Sequence, residues 1–316
     1  MQIVTTAKIR RDLRQHLSTT YPNIDFDFNA SIEEANQALP TAEVLITYGE
    51  DLKDEHIERA KNLTWIMVIS AGIDQLPAEA IKERGIIVTN VRGIHGIPMA
   101  EYSIAMMLQV ARQTKTLIEK EKKHEWDRHV KMTELHNKTL GVLGAGAIGS
   151  EIARLGNAFS MKTIGMNRSG RDVNEFDQIV DYANLDTLLQ ESDFIVSVLP
   201  RTPDTDGLLD MSAFKNMKEN AVFINIGRGN VIVEDDLLSA LDQGEFAHAV
   251  LDVFDEEPLP YDHPFWTKPE ITVTPHLSGI SPEYQPRAIE IFEHNLSVYQ
   301  RGEGQYQNLV DLKKGY

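Results

Sequence analysis

The sequence predicts an α/β protein of two doubly wound parallel-sheet domains, and three observations carry that prediction. Short apolar runs recur along the 316 residues, separated by charged amphipathic stretches long enough to form crossover helices, which favours parallel βαβ units over hairpins. The length corresponds to two domains of about 150 residues. The texture changes after Val91, where Pro98 heads a long helical run and divides the strand candidates into two series.

In the first series, strands are expected at Ile3–Thr5, Val44–Thr47, Trp65–Ile69 and Ile86–Thr89. Ile24–Phe28 alternates polar and apolar residues, as an edge strand does. Leu52–Lys61 spaces Leu52, His56, Ile57 and Ala60 for one face of a helix. The run MAEYSIAMMLQVARQTKTLIEKEKK then reads as one helix reaching Lys122, a connector between the domains. The second series comprises Thr139–Leu143, Thr163–Met166, Phe194–Val198, Val222–Ile226, Ala249–Val253 and Ile271–Thr274, six strands in all. From Ser281 the chain returns to a helix, YQPRAIEIFEHNLSVYQRG.

Charge excludes some partners. With 31 Lys+Arg against 48 Asp+Glu the net charge is −17, which repels phosphate backbones and anionic lipid, so neither nucleic acid nor a membrane is an expected partner. The absence of cysteine removes disulfides, thiolate nucleophiles and cysteine zinc sites. The N-terminal segment turns charged within ten residues and no apolar run approaches 18, so a soluble, cytoplasmic protein is expected.

LGVLGAGAIGSEIARLGNAF sets Gly144, Gly146 and Gly149 between a strand and a helix. In that context the first glycine permits a tight turn, the second lets backbone approach a pyrophosphate, and the third lets the helix pack on the strand. The helix from about Ala147 would offer free N–H groups to a dinucleotide. The next strand ends at Asn167, without the acid that holds an unphosphorylated ribose, and Arg168, Ser169 and Arg171 follow. Arginine pairs well with phosphate, so NAD(P) is the expected cofactor, with NADPH favoured over NADH. A solvated turn is the plainer alternative.

Three polar residues stand just beyond late strands: Arg228 in NIGRGNVI, Glu257 in LDVFDEEPLP and His276 in TPHLSG. Ligands of open α/β sheets bind at the carboxyl ends of strands. There an arginine can hold a 2-oxo acid, a histidine can exchange a proton with its oxygen, and a carboxylate can fix that histidine's tautomer. Each residue alone is more often structural; their order and common position make the set informative. His124, His129 and His136 have no metal-ligand spacing, and His263 in DHPFW reads as structural, so no metal is expected.

These segments, with ISAGID (Ser70 to Asp74) and AEYSIAMML (Ala100 to Leu108), resemble the D-isomer-specific 2-hydroxyacid dehydrogenase family over the whole length. The resemblance implies a Rossmann dinucleotide domain, 98–281, inserted into a flavodoxin-like substrate domain, 1–97 and 282–316. It implies Arg228 as the substrate-orienting arginine, His276 as general acid/base and Glu257 as its partner. Ala71 and Gly72 would offer N–H groups to the substrate carboxylate. Gly144, Gly146, Ala147, Ile148, Gly149, Asn167, Arg168 and Ser169 would bind the cofactor. Leu199 and Pro200 would lie near its adenosine side, and Ile226, Gly227, Asp252, Ser278 and Gly279 along the nicotinamide. His95 is a candidate specificity contact, although loop histidines are more often structural. A homodimer through the dinucleotide domain is implied, with the apolar positions Ile104, Ala105, Leu108 and Ala111 of the long helical run supplying part of its surface. The expected activity interconverts a short 2-oxo acid and its D-2-hydroxy acid; the alternatives are phosphoglycerate dehydrogenase and a dinucleotide-sensing protein on the same fold.

Overall fold

The computed structural model describes residues 1–70, 72, 73 and 75–312. The chain divides into two compact units: Met1–His95 with the segment from Ser281 onward, and Gly96–Ile280.

In the first unit β1 (Gln2–Thr5), β2 (Asp25–Phe28), β3 (Val44–Thr47), β4 (Trp65–Val68) and β5 (Ile87–Asn90) form a sheet in the order β2-β1-β3-β4-β5. Every neighbouring pair is parallel, the flavodoxin-like arrangement. The pleat sends Val4, Leu45, Ile66 and Val68 to a core layer shared with Ile57 and Ile81. Ile3, Val44, Ile46, Trp65 and Met67 join Leu17 and Phe292 in another. Burial on both faces is why these strands read as unbroken apolar runs. Fully buried Trp65 stacks on Phe292 and Tyr299, each at 5.5 Å between ring centroids, and its Nε1 donates to Thr89 Oγ1 at 2.9 Å. Both partners belong to the helix Tyr284–Arg301, so Trp65 fastens the returning chain to the sheet.

In the second unit the strands are β6 (Thr139–Leu143), β7 (Lys162–Met166), β8 (Gln178–Val180), β9 (Phe194–Ser197), β10 (Val222–Asn225), β11 (His248–Leu251) and β12 (Ile271–Val273). They run parallel in the order β12-β11-β10-β9-β6-β7-β8. The order reverses between β6 and β9, the position at which doubly wound sheets bind ligands. Among the described residues this sheet has one strand more than the six expected, β8, whose three residues are flanked by acidic, weakly apolar sequence.

The expected long helix is two helices, Gly96–Ala111 and Thr114–Lys122. Gln113 between them is left-handed at φ 54°. Its backbone N–H and its side-chain Nε2 both donate to the Val110 carbonyl at 3.1 Å, and Thr133 N–H takes the Ala111 carbonyl at 2.9 Å. The broken ladder is therefore resatisfied locally. The first helix lies wholly in the second unit, where Ile104 and Ala111 share a core with Val142 and Ile152. Those two positions are thus unavailable to an interface between copies. Of the other two, Ala105 is exposed and Leu108 half-buried, and further exposed apolar side chains follow at Leu117, Ile118, Met132 and Trp126, the last 92% exposed. Among the described residues no helix is long and apolar enough to cross a membrane.

His248 opens β11, with Nε2 2.9 Å from Thr272 Oγ1. Burial, with Lys115 adding to it, pushes the imidazole down to about 4 from 6.5. The unfolded chain therefore takes up this proton as pH falls through 6.5, and the folded one only near 4. The group costs nothing above that window and progressively more within it. Urea unfolding of the unaltered protein should lose up to about 3 kcal/mol across the window from this source, and His248→Gln should flatten the slope.

Candidate active site

The phosphate loop is built from close approaches that only glycine permits. Gly144 has φ 109°, and a Cβ on it would lie 2.9 Å from Val198 Cγ2. On Gly149, in the first turn of the helix Ala147–Ala158, a Cβ would fall 2.1 Å from the Gly144 carbonyl oxygen; any side chain there would push the helix off the strand. Gly146 precedes this helix with extended backbone, no side chain caps the helix, and nothing lies within 4 Å of a Cβ on Gly146. Ala147 is exposed and Ile148 half-buried beside it. An uncapped helix start with open space before it fits a pyrophosphate, which Gly146, Ala147 and Ile148 would hold through backbone N–H groups.

At the end of β7 the Asn167 side chain is used inside its own turn. Its Oδ1 accepts from the N–H groups of Ser169 and Arg171 at 3.1 and 3.2 Å and from Ser169 Oγ at 3.2 Å, and Nδ2 donates to the Arg171 carbonyl at 2.7 Å. Asn167 is therefore the scaffold of the turn that presents Arg168 and Ser169, both exposed. Arg168 reaches Asp204 at 3.3 Å, a partner that sequence spacing does not reveal.

Beyond β9 and β10, Gly227 packs on backbone: a Cβ there would meet the Leu199 oxygen at 2.6 Å and nitrogen at 2.7 Å. Leu199 and Ile226 are buried, Pro200 exposed. Buried Asn225 spans the turn, its Oδ1 accepting from Gly227 N–H at 3.2 Å and its Nδ2 donating to the Arg228 carbonyl at 2.9 Å. Sequence reading passed over it; the signal was a lone amide closing an apolar strand. Arg228 is exposed and donates through Nη1 to the Gly227 carbonyl at 2.9 Å. Gly229 follows, where a Cβ would lie 1.9 Å from the Phe254 carbonyl carbon. That contact sets the arginine loop directly against the segment leading to Glu257.

Glu257 Oε1 accepts from Phe254 N–H at 3.0 Å, and Oε2 lies 2.7 Å from His276 Nδ1. His276 itself is left-handed at φ 50°, uncommon for a residue with a Cβ. Its N–H donates to the Asp252 carbonyl at 2.9 Å. The fully buried Asp252 carboxylate holds the rest of the turn: Oδ1 accepts from Thr274 Oγ1 at 2.6 Å and Leu277 N–H at 3.0 Å, and Oδ2 from Ser278 N–H at 2.8 Å. Thr274 has one proton and gives it to Asp252, so Tyr102, 2.6 Å from Thr274 Oγ1, is the donor in that contact. Burial, reinforced by the Asp252 charge, pushes the Tyr102 phenol up to about 12. Asp252 and Ser278, expected along the nicotinamide, are enclosed in this network; Gly279 next to them is half-buried.

In the first unit, Ser70 Oγ donates to the Gly72 and Tyr48 carbonyls at 2.8 and 3.2 Å. Gly72 is half-buried, and Ala71 lies outside the described residues. The half-buried His95 ring lies 5.1 Å from that of Tyr284. The structure thus brings Arg228, Glu257 and His276 onto consecutive strand-end loops of the second unit, with the phosphate loop on the same sheet.

Residues 104–278 match the family model described as D-isomer specific 2-hydroxyacid dehydrogenase, NAD binding domain. Among curated relatives, glyoxylate/hydroxypyruvate reductase B of Pectobacterium carotovorum is 34% identical over 286 residues, 89% of each chain. Among solved structures, a D-isomer specific 2-hydroxyacid dehydrogenase family protein from Aeromonas salmonicida superposes with TM-score 0.88 at 34% identity, covering 98% of this chain and 99% of that one. An NADPH-dependent glyoxylate/hydroxypyruvate reductase from Sinorhizobium meliloti, in complex with NADP and sulfate, gives 0.82 at 29%, covering 100% and 99%.

The Asp252 network is open to a direct test. Asp252→Asn replaces one accepting oxygen with a donor facing another donor, and should cost about 2–3 kcal/mol in urea unfolding. An unchanged midpoint would show that the His276 turn does not depend on this carboxylate.

Proposed function

This chain belongs to the D-isomer-specific 2-hydroxyacid dehydrogenase family and is an oxidoreductase; within that family we propose that it reduces a short, non-phosphorylated 2-oxo acid to the D-2-hydroxy acid. The observation that carries the proposal is the 2.7 Å contact between His276 Nδ1 and Glu257 Oε2 beside the Arg228 loop. With Nδ1 committed to the carboxylate, Nε2 is the nitrogen left to meet substrate. His276 donates its proton there to the carbonyl oxygen, and Glu257 stabilises the imidazolium before transfer and fixes the ring's orientation. Arg228 orients the 2-oxo acid through its planar fork of donors. The reduced nicotinamide, when bound, supplies the hydride. The relatives named glyoxylate/hydroxypyruvate reductase support glyoxylate or hydroxypyruvate as acceptor.

The cofactor is NAD(P), and we propose a preference for NADPH. Arg168 and Ser169 stand on a turn that carries no carboxylate side chain at the end of β7, and the NADP-bound relative supports the same reading. The test is steady-state oxidation of NADPH and NADH with glyoxylate, hydroxypyruvate and 2-oxoisocaproate. The expected outcome is turnover of one of the first two with NADPH well ahead. Turnover favouring NADH would overturn the coenzyme reading alone. His276→Asn should lower kcat by about 10²–10⁴-fold with little change in dinucleotide affinity; near-normal kcat would remove His276 from the reaction.

A homodimer is proposed as well, through Leu117, Ile118, Trp126 and Met132, whose exposure is costly for a monomer in water. Sedimentation should give twice the chain mass, and Trp126→Asp should shift it towards the monomer.

A further inference from the structure

Two rigid turns of the second unit hold opposite charges face to face. Arg168 sits on the turn organised by Asn167, whose amide makes four hydrogen bonds within residues 167–171. Asp204 sits on the turn after β9, where Thr205 Oγ1 donates to the Pro200 carbonyl at 2.6 Å and accepts from Thr202 N–H at 3.0 Å. The next residue, Asp206, is tied to Asn230 Nδ2 at 2.7 Å. The Arg168 Nη2 to Asp204 Oδ2 distance is 3.3 Å, with both side chains about two-thirds exposed (64% and 67%). Burial pushes the Tyr182 phenol up, and the ring lies close enough to feel both charges, Arg168 pulling the pKa down and Asp204 adding to the rise. The other carboxylate beside this turn, Asp181, accepts from Asn184 Nδ2 at 2.8 Å.

We infer that Asp204 is a specificity-determining residue, which occupies the Arg168 guanidinium until a 2′-phosphate displaces it and so limits the preference for NADPH over NADH. An exposed single-contact pair is weak, whereas a phosphate dianion offers arginine two charge-assisted bonds; the exchange therefore runs in favour of the phosphate. The displaced carboxylate cannot move far, because the hydrogen bonds of Thr205 and Asp206 fix its turn. It stays near the bound dianion and repels it. An NADH ribose carries no such charge and loses nothing to Asp204.

This inference rests on the proposal that Arg168 receives the 2′-phosphate, and the experiment separates the two. Dissociation constants of NADP+ and NAD+ are measured by titration calorimetry at low and high salt for the unaltered protein, Asp204→Asn and Arg168→Ala, with thermal melts to establish folding. Asp204→Asn should bind NADP+ about 3–10-fold more tightly, leave NAD+ within twofold, and lose much of its gain in high salt. Arg168→Ala should weaken NADP+ by about tenfold or more and spare NAD+. Unchanged or weaker NADP+ binding in Asp204→Asn, or equal tightening of both dinucleotides, overturns the role of Asp204. If Arg168→Ala still loses NADP+ affinity in that case, the coenzyme reading stands without it. If Arg168→Ala binds NADP+ normally, both fall together.

Discussion

A carboxylate removed entirely from water needs donors on every side, and Asp252 finds them in the turn that carries His276. The Thr274 hydroxyl and the Leu277 and Ser278 N–H groups converge on its two oxygens, while its own carbonyl takes the His276 N–H. Breaking any bond to the carboxylate leaves a buried charge short of a partner, which is far more costly than the loss of one exposed bond. The turn consequently has little freedom, and His276 is held in a left-handed conformation that few side-chain-bearing residues adopt unforced. Glu257, anchored by Phe254 N–H, then meets an imidazole whose place is already determined.

Neighbouring loops are registered by contact rather than by charge. Gly149 lies against the Gly144 carbonyl, Gly144 against Val198, Gly227 against Leu199, and Gly229 against Phe254. Each is a place where a methyl group would collide with its neighbour. The chain of contacts runs across the sheet from the phosphate loop to the arginine loop and on to the segment bearing Glu257. The phosphate loop and the His276–Glu257 pair are thereby held on one scaffold, with loop positions set by the parallel strands beneath.

Much of this was legible in the sequence because burial on both faces makes parallel strands continuous apolar runs. Trp65–Val68 and Val222–Asn225 are clear examples. β8 was not, since Gln178–Val180 contributes only two apolar residues to an edge among acids. The break at Gln113 was equally hidden: no glycine or proline marks it, and its stability comes from Thr133, twenty residues on. Arg228, Glu257 and His276 stood out as polar residues beyond apolar strands, although their roles are not legible in that pattern. Asn167 was noticed for the acid it replaces, while its hydrogen bonds make it the frame of a turn. Asp252 read as a cofactor contact, while its part in holding the His276 turn, set by burial and three hydrogen bonds, leaves no mark in spacing. Asp204 could not be singled out at all, because a pair 36 positions apart in the chain leaves no trace in local spacing.

The stacking of Trp65 on Phe292 and Tyr299 has a consequence for biosynthesis. On the ribosome, β1 to β5 emerge ahead of the inserted unit, yet the aromatic faces that cover Trp65 are made only after it. Gly96–Ile280, by contrast, is complete before Phe292 leaves the exit tunnel. The inserted unit can therefore consolidate first, while the older, N-terminal sheet waits with one apolar layer uncovered. In such an order of events the nascent chain's exposure to chaperones falls on the sheet made ahead of the inserted unit, a reversal of the usual N-to-C sequence of domain folding.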